Sequence, residues 1–143
     1  MQIHTHAFGT IDIDEAQIIC LTEPMAGFPD HIRFAVLDPD PEVPFKWFQS
    51  VDSIEVCFLI SDPAPFFPEY RVELSKRQLQ DLQITEETDT AVAVVLRVPE
   101  EMTEATANLL APFVFNTQAK LARQIILEGS GHPVRAPLLA AQK

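Results

Sequence analysis

The sequence predicts a single all-β domain, either a β-barrel or a strongly bent β-sandwich with one or two short helices. Three observations carry that expectation. Apolar and polar residues alternate with period two through most of the chain, as half-buried strands require. The alternating runs are short, roughly eight or nine of them, which suits a barrel or sandwich. Twelve prolines fall mainly between the runs, where a residue without an N–H does least harm to a sheet.

In order along the chain, Ile3–Phe8 and Ile11–Ile13 form two strands around Gly9-Thr10, with Ile11 and Ile13 inward and Asp12 and Asp14 outward. Pro24–Asp30 is a turn held by two prolines and a glycine. Arg33–Leu37 is a strand, and Asp38–Pro44 an acidic, proline-stiffened loop. Phe45–Val51 and Ile54–Ser61 are strands joined through Asp52-Ser53, and a second stiff loop follows at Asp62–Pro68. Glu69–Leu74 alternates cleanly, with Tyr70, Val72 and Leu74 on one face. Ser75–Leu82 carries the helix signal: Ser75 caps, Gln78 reaches back, and Leu79 and Leu82 share a face. Ala91–Val98 is β-branched and apolar, a strand covered on both faces. Ala107–Phe115 and Leu121–Leu127 make a hairpin through Asn116–Lys120. From Gly129 onward the chain reads as irregular. The domain spans 1–137, and 138–143 is a frayed tail.

A chain of 143 residues with 47% apolar content, ten Phe and one Trp fills one core and no more. The N-terminus has no basic region followed by an apolar run, and no apolar stretch approaches the ~20 residues that span a bilayer. A soluble cytoplasmic protein, monomeric alone, is expected. Cys20 and Cys57 stand outside any Cys-x-x-Cys pattern and are read as buried thiols.

The net charge of −11 excludes the basic footprint that nucleic-acid binding needs, and an anionic membrane would repel it. It favours a basic protein partner. Catalytic chemistry finds little support. There is no Gly-x-Ser-x-Gly elbow and no phosphate-cradling glycine loop. Gly129-Ser130-Gly131-His132 sits in the irregular tail, and Asp52 and Asp62 flank a strand as ordinary turn acids do. His4 and His6, two apart in a strand, would need a distant third ligand such as His31 or His132 to hold a metal. No catalytic set, metal or cofactor is expected. The aromatic residues of Phe45–Phe48 and the proline-flanked Phe66-Phe67 either fill the core or line a surface that accepts an apolar peptide, with acids at its rim.

Several blocks, in order, resemble the FliW family of flagellar assembly factors. They are Phe8–Asp14, the turn ending in Gly27-Phe28, Pro44–Asp52, Asp62–Tyr70, Thr106-Ala107-Asn108-Leu109-Leu110-Ala111-Pro112, and Arg123–Leu127. The likeness runs from about residue 3 to Pro137. Met25-Ala26-Gly27 replaces the family's hydrophobe-Pro-Gly order, Arg71 stands where an acid usually follows Tyr70, and Ile54-Glu55-Val56 departs from the usual Asn or Asp followed by Leu. The resemblance implies a barrel-like cytoplasmic protein with two partners: flagellin before export, and the carbon-storage regulator CsrA, a basic dimer that represses flagellin translation. Flagellin occupying this protein would free CsrA to act; exported flagellin would leave it free to capture CsrA. On that basis the expected partner-binding residues are Phe45, Trp47, Gln49, Asp52, Glu55, Phe66, Phe67, Glu69, Tyr70, Arg71 and Asn108. An export chaperone without a CsrA partner is the second expectation, and a small β-barrel enzyme or metal protein the third.

Overall fold

A computed structural model describes residues 1–25, 27–38 and 42–138. Parts of the Pro24–Asp30 turn and the Asp38–Pro44 loop, and residues 139–143, therefore lie outside the described residues. Eleven strands are present: β1 (Gln2–Thr5), β2 (Gly9–Asp12), β3 (Ile19–Leu21), β4 (Arg33–Leu37), β5 (Phe45–Ser50), β6 (Cys57–Ser61), β7 (Thr90–Arg97), β8 (Thr106–Ala107), β9 (Phe113–Asn116), β10 (Leu121–Gln124) and β11 (Ala136–Pro137). One helix, α1 (Lys76–Asp81), precedes β7.

Seven of these strands close a barrel in the order β7-β6-β5-β4-β3-β10-β9, with β9 returning to β7. The pairings are antiparallel except at one seam, where β10 runs parallel to β3 (Leu121 opposite Cys20, Ala122 opposite Leu21). Closure pairs most of the edges that a flat sheet would expose, leaving Thr90–Ala93 of β7 without a neighbour on the β6 side among the described residues. β8 and β11 extend the wall beside the second half of β7, and β1 and β2 form a separate hairpin.

The interior is filled by large rings set against small residues. Phe34 and Phe48 stack at 4.4 Å, and Phe113 and Phe115 meet Phe48 at 5.2 and 5.7 Å. Ala93 and Ala122 on neighbouring strands leave the room these rings need. Two satellite clusters lie outside the barrel wall. One gathers Phe66, Val94, Leu96, Ala107, Leu109 and Leu138, with Phe45, Phe67 and Tyr70 packed against them. The other sits beneath α1 and joins Leu82, Val114 and Ile125 to Val72, Leu74, Ile84 and Val92.

The predicted capping box of α1 is complete: Ser75 Oγ accepts the Gln78 N–H at 3.1 Å, and Gln78 Oε1 accepts the Ser75 N–H at 2.8 Å. Buried Asn116 ties the helix to the barrel. Its Nδ2 donates to Leu82 O at 2.8 Å, while its Oδ1 accepts the N–H groups of Gln118 and Ala119 and so forms the β9–β10 turn.

Five sequence expectations need correction. Ala107–Phe115 is not one strand: residues 108–112 bulge between β8 and β9. Glu69–Leu74 keeps its alternating burial but joins no ladder; Val72 and Leu74 pack side-on against the outer face of the wall with the α1 cluster. Ile19–Leu21 is a strand the alternation did not reveal, being only three residues long. Cys20 and Cys57 are free thiols but only half-buried. The packed unit does not stop at Pro137: β11 joins β8, Leu138 is fully buried, and its N–H donates to Ala105 O at 3.0 Å.

Two predictions follow from this architecture. Asn116→Ala strands a buried carbonyl and frees a turn, and should cost roughly 2–3 kcal/mol in urea unfolding. Gln83, just beyond α1, adopts φ 57°; Gln83→Gly should relieve that left-handed conformation and raise stability by about 0.5–1 kcal/mol in the same assay.

Candidate functional site

The loop after β6 folds back over the barrel wall. Asp62 Oδ1 accepts the Ala64 N–H at 3.0 Å, and Pro63 O accepts the N–H groups of Phe66 and Phe67 at 3.0 and 2.7 Å. This single helical turn sets Phe66 parallel to Phe45 of β5, with ring centroids 6.0 Å apart. It leaves Phe67 half-buried beside Tyr70. The Tyr70 hydroxyl donates to Leu109 O at 2.6 Å, and the His132 ring meets the Tyr70 ring edge-on at 4.9 Å. Phe66, Phe67, Pro68, Glu69, Tyr70, Leu109 and His132 line an open hollow of about 460 Å³.

Phe45, Phe66, Phe67, Glu69 and Tyr70 are thus brought together. Arg71 adjoins them through Nη1, which donates to Pro68 O and Tyr70 O at 3.0 and 2.9 Å and leaves the guanidinium exposed. Asn108 shapes the hollow from beneath. Its Oδ1 accepts the N–H groups of Leu110 and Ala111 at 3.1 Å, which fixes the bend that presents Leu109.

The remaining expected residues lie toward the other end of β5. Trp47 faces the same outer side as Phe45 and lies 6.5 Å from the His6 ring. Gln49 is fully buried, roughly 13 Å along the strand from Phe45 at about 3.3 Å per residue. Its Oε1 accepts the His6 N–H at 3.0 Å, and its Nε2 donates to Ser53 O at 3.0 Å and Ser50 O at 3.1 Å. It joins the N-terminal hairpin to the β5–β6 turn and offers no group to a partner. Asp52 pairs with Arg33, an ion pair that raises the Arg33 pKa through its hydrogen bond and charge. Glu55 is exposed in the same turn. Seven of the eleven residues, Phe45, Phe66, Phe67, Glu69, Tyr70, Arg71 and Asn108, therefore gather at or beneath the aromatic hollow, Asp52 and Glu55 mark a separate acidic hairpin tip, and Trp47 and Gln49 lie between the two under the N-terminal hairpin.

His132 and Leu109 belong to the hollow and were not among the expected binding residues. His132 lies in a segment whose composition suggests a tail; the ring contact with Tyr70 and the backbone bond from Leu109 N–H to Pro133 O at 3.1 Å place it. Among the described residues no group of three His, Cys, Asp or Glu is arranged to hold a metal. His4 Nδ1 instead meets Thr10 Oγ1 at 2.9 Å, and His6 lies beside Trp47. Burial pushes the Cys57 thiol pKa up, which disfavours the reactive thiolate. Among the described residues no helix is long and apolar enough to cross a membrane.

Fold and surface together define a small closed β-barrel whose outer wall carries an aromatic hollow framed by a proline-rich loop and a strand bulge. The FliW protein family model matches residues 2–138, and the chain belongs to that family. A protein of Alkaliphilus metalliredigens named flagellar assembly factor FliW is 39% identical over 90% of this chain and 80% of its own length. One of the same name from Thermoanaerobacter pseudethanolicus is 33% identical over all of this chain and 96% of its own. A crystal structure of the flagellar assembly factor FliW superposes with a TM-score of 0.90 at 34% identity, covering 96% of each chain.

Burial pushes the Tyr70 phenol up to about 12. The folded value lies above the roughly 10 of an unfolded tyrosine, so its stabilising contribution is complete below pH ~10 and fades as pH rises beyond that. Tyr70→Phe should cost about 0.5–1.5 kcal/mol at neutral pH. The variant's stability should also fall less steeply than the parent's in urea titrations carried above pH ~10.

Proposed function

We propose that this chain is a cytoplasmic flagellar assembly factor that binds flagellin before export and, in alternation, the translational repressor CsrA. The observation that carries the reading is the hollow of Phe66, Phe67, Tyr70, Leu109 and His132 on the surface of a domain with net charge −11. An apolar recess suits the apolar helix faces that a flagellin subunit exposes until it polymerises. The acidic field suits a small basic dimer and speeds their encounter. Relatives that span nearly the same length and carry the flagellar assembly name support the process. No bond need be made or broken: two partners that exclude one another convert the free flagellin level into a free CsrA level by competing affinities alone.

A second reading is an export chaperone that binds flagellin and has no CsrA partner. The exposed Arg71 beside the hollow favours it, since the cation weakens local attraction for a basic protein.

Calorimetric titration separates the readings: flagellin alone, CsrA alone, then CsrA onto the flagellin-saturated protein. The partner switch requires binding of both and suppression of the second by the first. Binding of flagellin only leaves the chaperone, and binding of neither refutes both. Phe67→Ala should weaken flagellin at least tenfold, about 1.4 kcal/mol, with little change in melting temperature. Gln49→Ala should instead lower stability by ~1–3 kcal/mol.

A further inference from the structure

In the barrel, β7 lacks a partner along half of one side. Residues Thr90–Ala93 pair with β9. On their other side β6 reaches only Val94 and Val95, through Ser61 and Ile60, before the chain turns away at Asp62. The orientation of the exposed backbone follows from two bonds. Asp89 O accepts the Thr117 N–H and Val95 O accepts the Asn108 N–H, so both face the β8–β9 side. Peptide groups alternate edges along a strand. The N–H and C=O of Thr90 and Val92 therefore face the open side, and among the described residues no ladder or loop bond meets them there.

A hollow lies on each face of the wall at this edge. Inside is the barrel mouth, about 530 Å³, with Ile60, Ala93 and Phe115 in its lining. Outside, about 490 Å³ opens between the unpaired extended segment Val72–Leu74 and Val114. Thr90 and Val92 border both. Successive side chains of a strand point to opposite faces, so a strand laid on this edge would send them into the two hollows in turn.

We propose that the open edge of β7 at Thr90–Ala93 is a strand-addition site for an extended segment of a partner protein, one that alternates apolar and basic side chains. The proposal rests on reading the chain as a protein-binding domain. Charge selects the partner. Asp62 lines the inner hollow, Glu73 the outer, and Asp89 precedes the edge. The lining cation, Lys46, is already paired with Asp38 at 2.9 Å. A second copy of this acidic chain would set like charge against like; a basic segment gains main-chain bonds and charge together.

The test uses the full-length ¹⁵N-labelled protein and three synthetic heptapeptides. One alternates valine and lysine, one alternates valine and glutamate, and one is the valine–lysine peptide N-methylated at every second residue. The valine–lysine peptide should shift the Thr90 and Val92 amide signals and slow their hydrogen exchange at least about tenfold. The glutamate and N-methylated peptides should bind at least about tenfold more weakly. Thr90→Pro removes an edge N–H without breaking the β9 ladder and should reduce binding to a similar degree, as should Ala91→Trp, which plugs the mouth; melting curves check that both fold. Silent Thr90 and Val92 amides, equal binding of the glutamate peptide, or folded variants that bind as the parent does would overturn the proposal. Should flagellin and CsrA both fail to bind while the peptide result holds, the partner-switch reading falls and the strand-addition site stands. Tight binding of either protein with the edge amides silent to it and to the peptide gives the reverse.

Discussion

Most of the outer architecture hangs on a mismatch in chain length between two paired strands. Between Ala93 and Leu96, β7 advances through two residues, Val94 and Val95, while the opposing chain spends five, 108–112, between β8 and β9. The surplus must bulge, and a bulge of buried peptide groups is costly unless each finds a partner. Each does. Asn108 satisfies two N–H groups within the bend, Leu127 N–H donates to Leu110 O and Ile125 N–H to Pro112 O at 2.8 Å each, and Gln124 Nε2 donates to Ala111 O at 3.3 Å. Leu109 is held at both ends, its carbonyl by Tyr70 and its N–H by Pro133 O. One excursion thus anchors the chain after β10, the His132 segment and the aromatic loop at once.

That economy explains why the hollow is well defined although it is built from loops. Phe66 and Phe67 come from a helical turn closed on Pro63 O just after β6, Leu109 from the bulge, and His132 from the chain beyond β10, which the bond from Leu109 N–H to Pro133 O ties to the bulge. Loops placed on a rigid scaffold in this way supply recognition surfaces without requiring the core to change. The interior, packed with Phe34, Phe48, Phe113 and Phe115, needs only to remain rigid.

The sequence was legible where structure is local. The Ser75–Gln78 capping box, the span Arg33–Leu37 and the barrel class all follow from neighbouring residues, and the ordered FliW-like blocks pointed to the family. It misled where pairing is decided at a distance. The alternation of Glu69–Leu74 correctly reports two environments, since Val72 and Leu74 pack inward while Glu73 is exposed, but alternation does not say whether another strand lies alongside. Gln49 sits on the outward side of β5 and looks available; burial beneath the N-terminal hairpin, a contact across 43 positions, turns it into a structural joint. His132 joins the hollow through its ring contact with Tyr70 and the bond at Pro133, contacts no periodicity encodes. β3, β8 and β11 are two or three residues long and carry too little pattern to register.

The parallel seam between β3 and β10 sets when the barrel can close. Cys20 lies beside Leu121, so the ring joins chain from opposite ends of the domain. Until β10 has left the ribosome, β3 lacks its neighbour and the wall remains an open sheet. Contacts this distant in sequence slow folding, because the entropy of closing a long loop is lost before the contact repays it. Nascent chains therefore cannot close the barrel early. Closed barrels accumulate only as completed molecules, in discrete units, after a delay set by translation of nearly the entire domain.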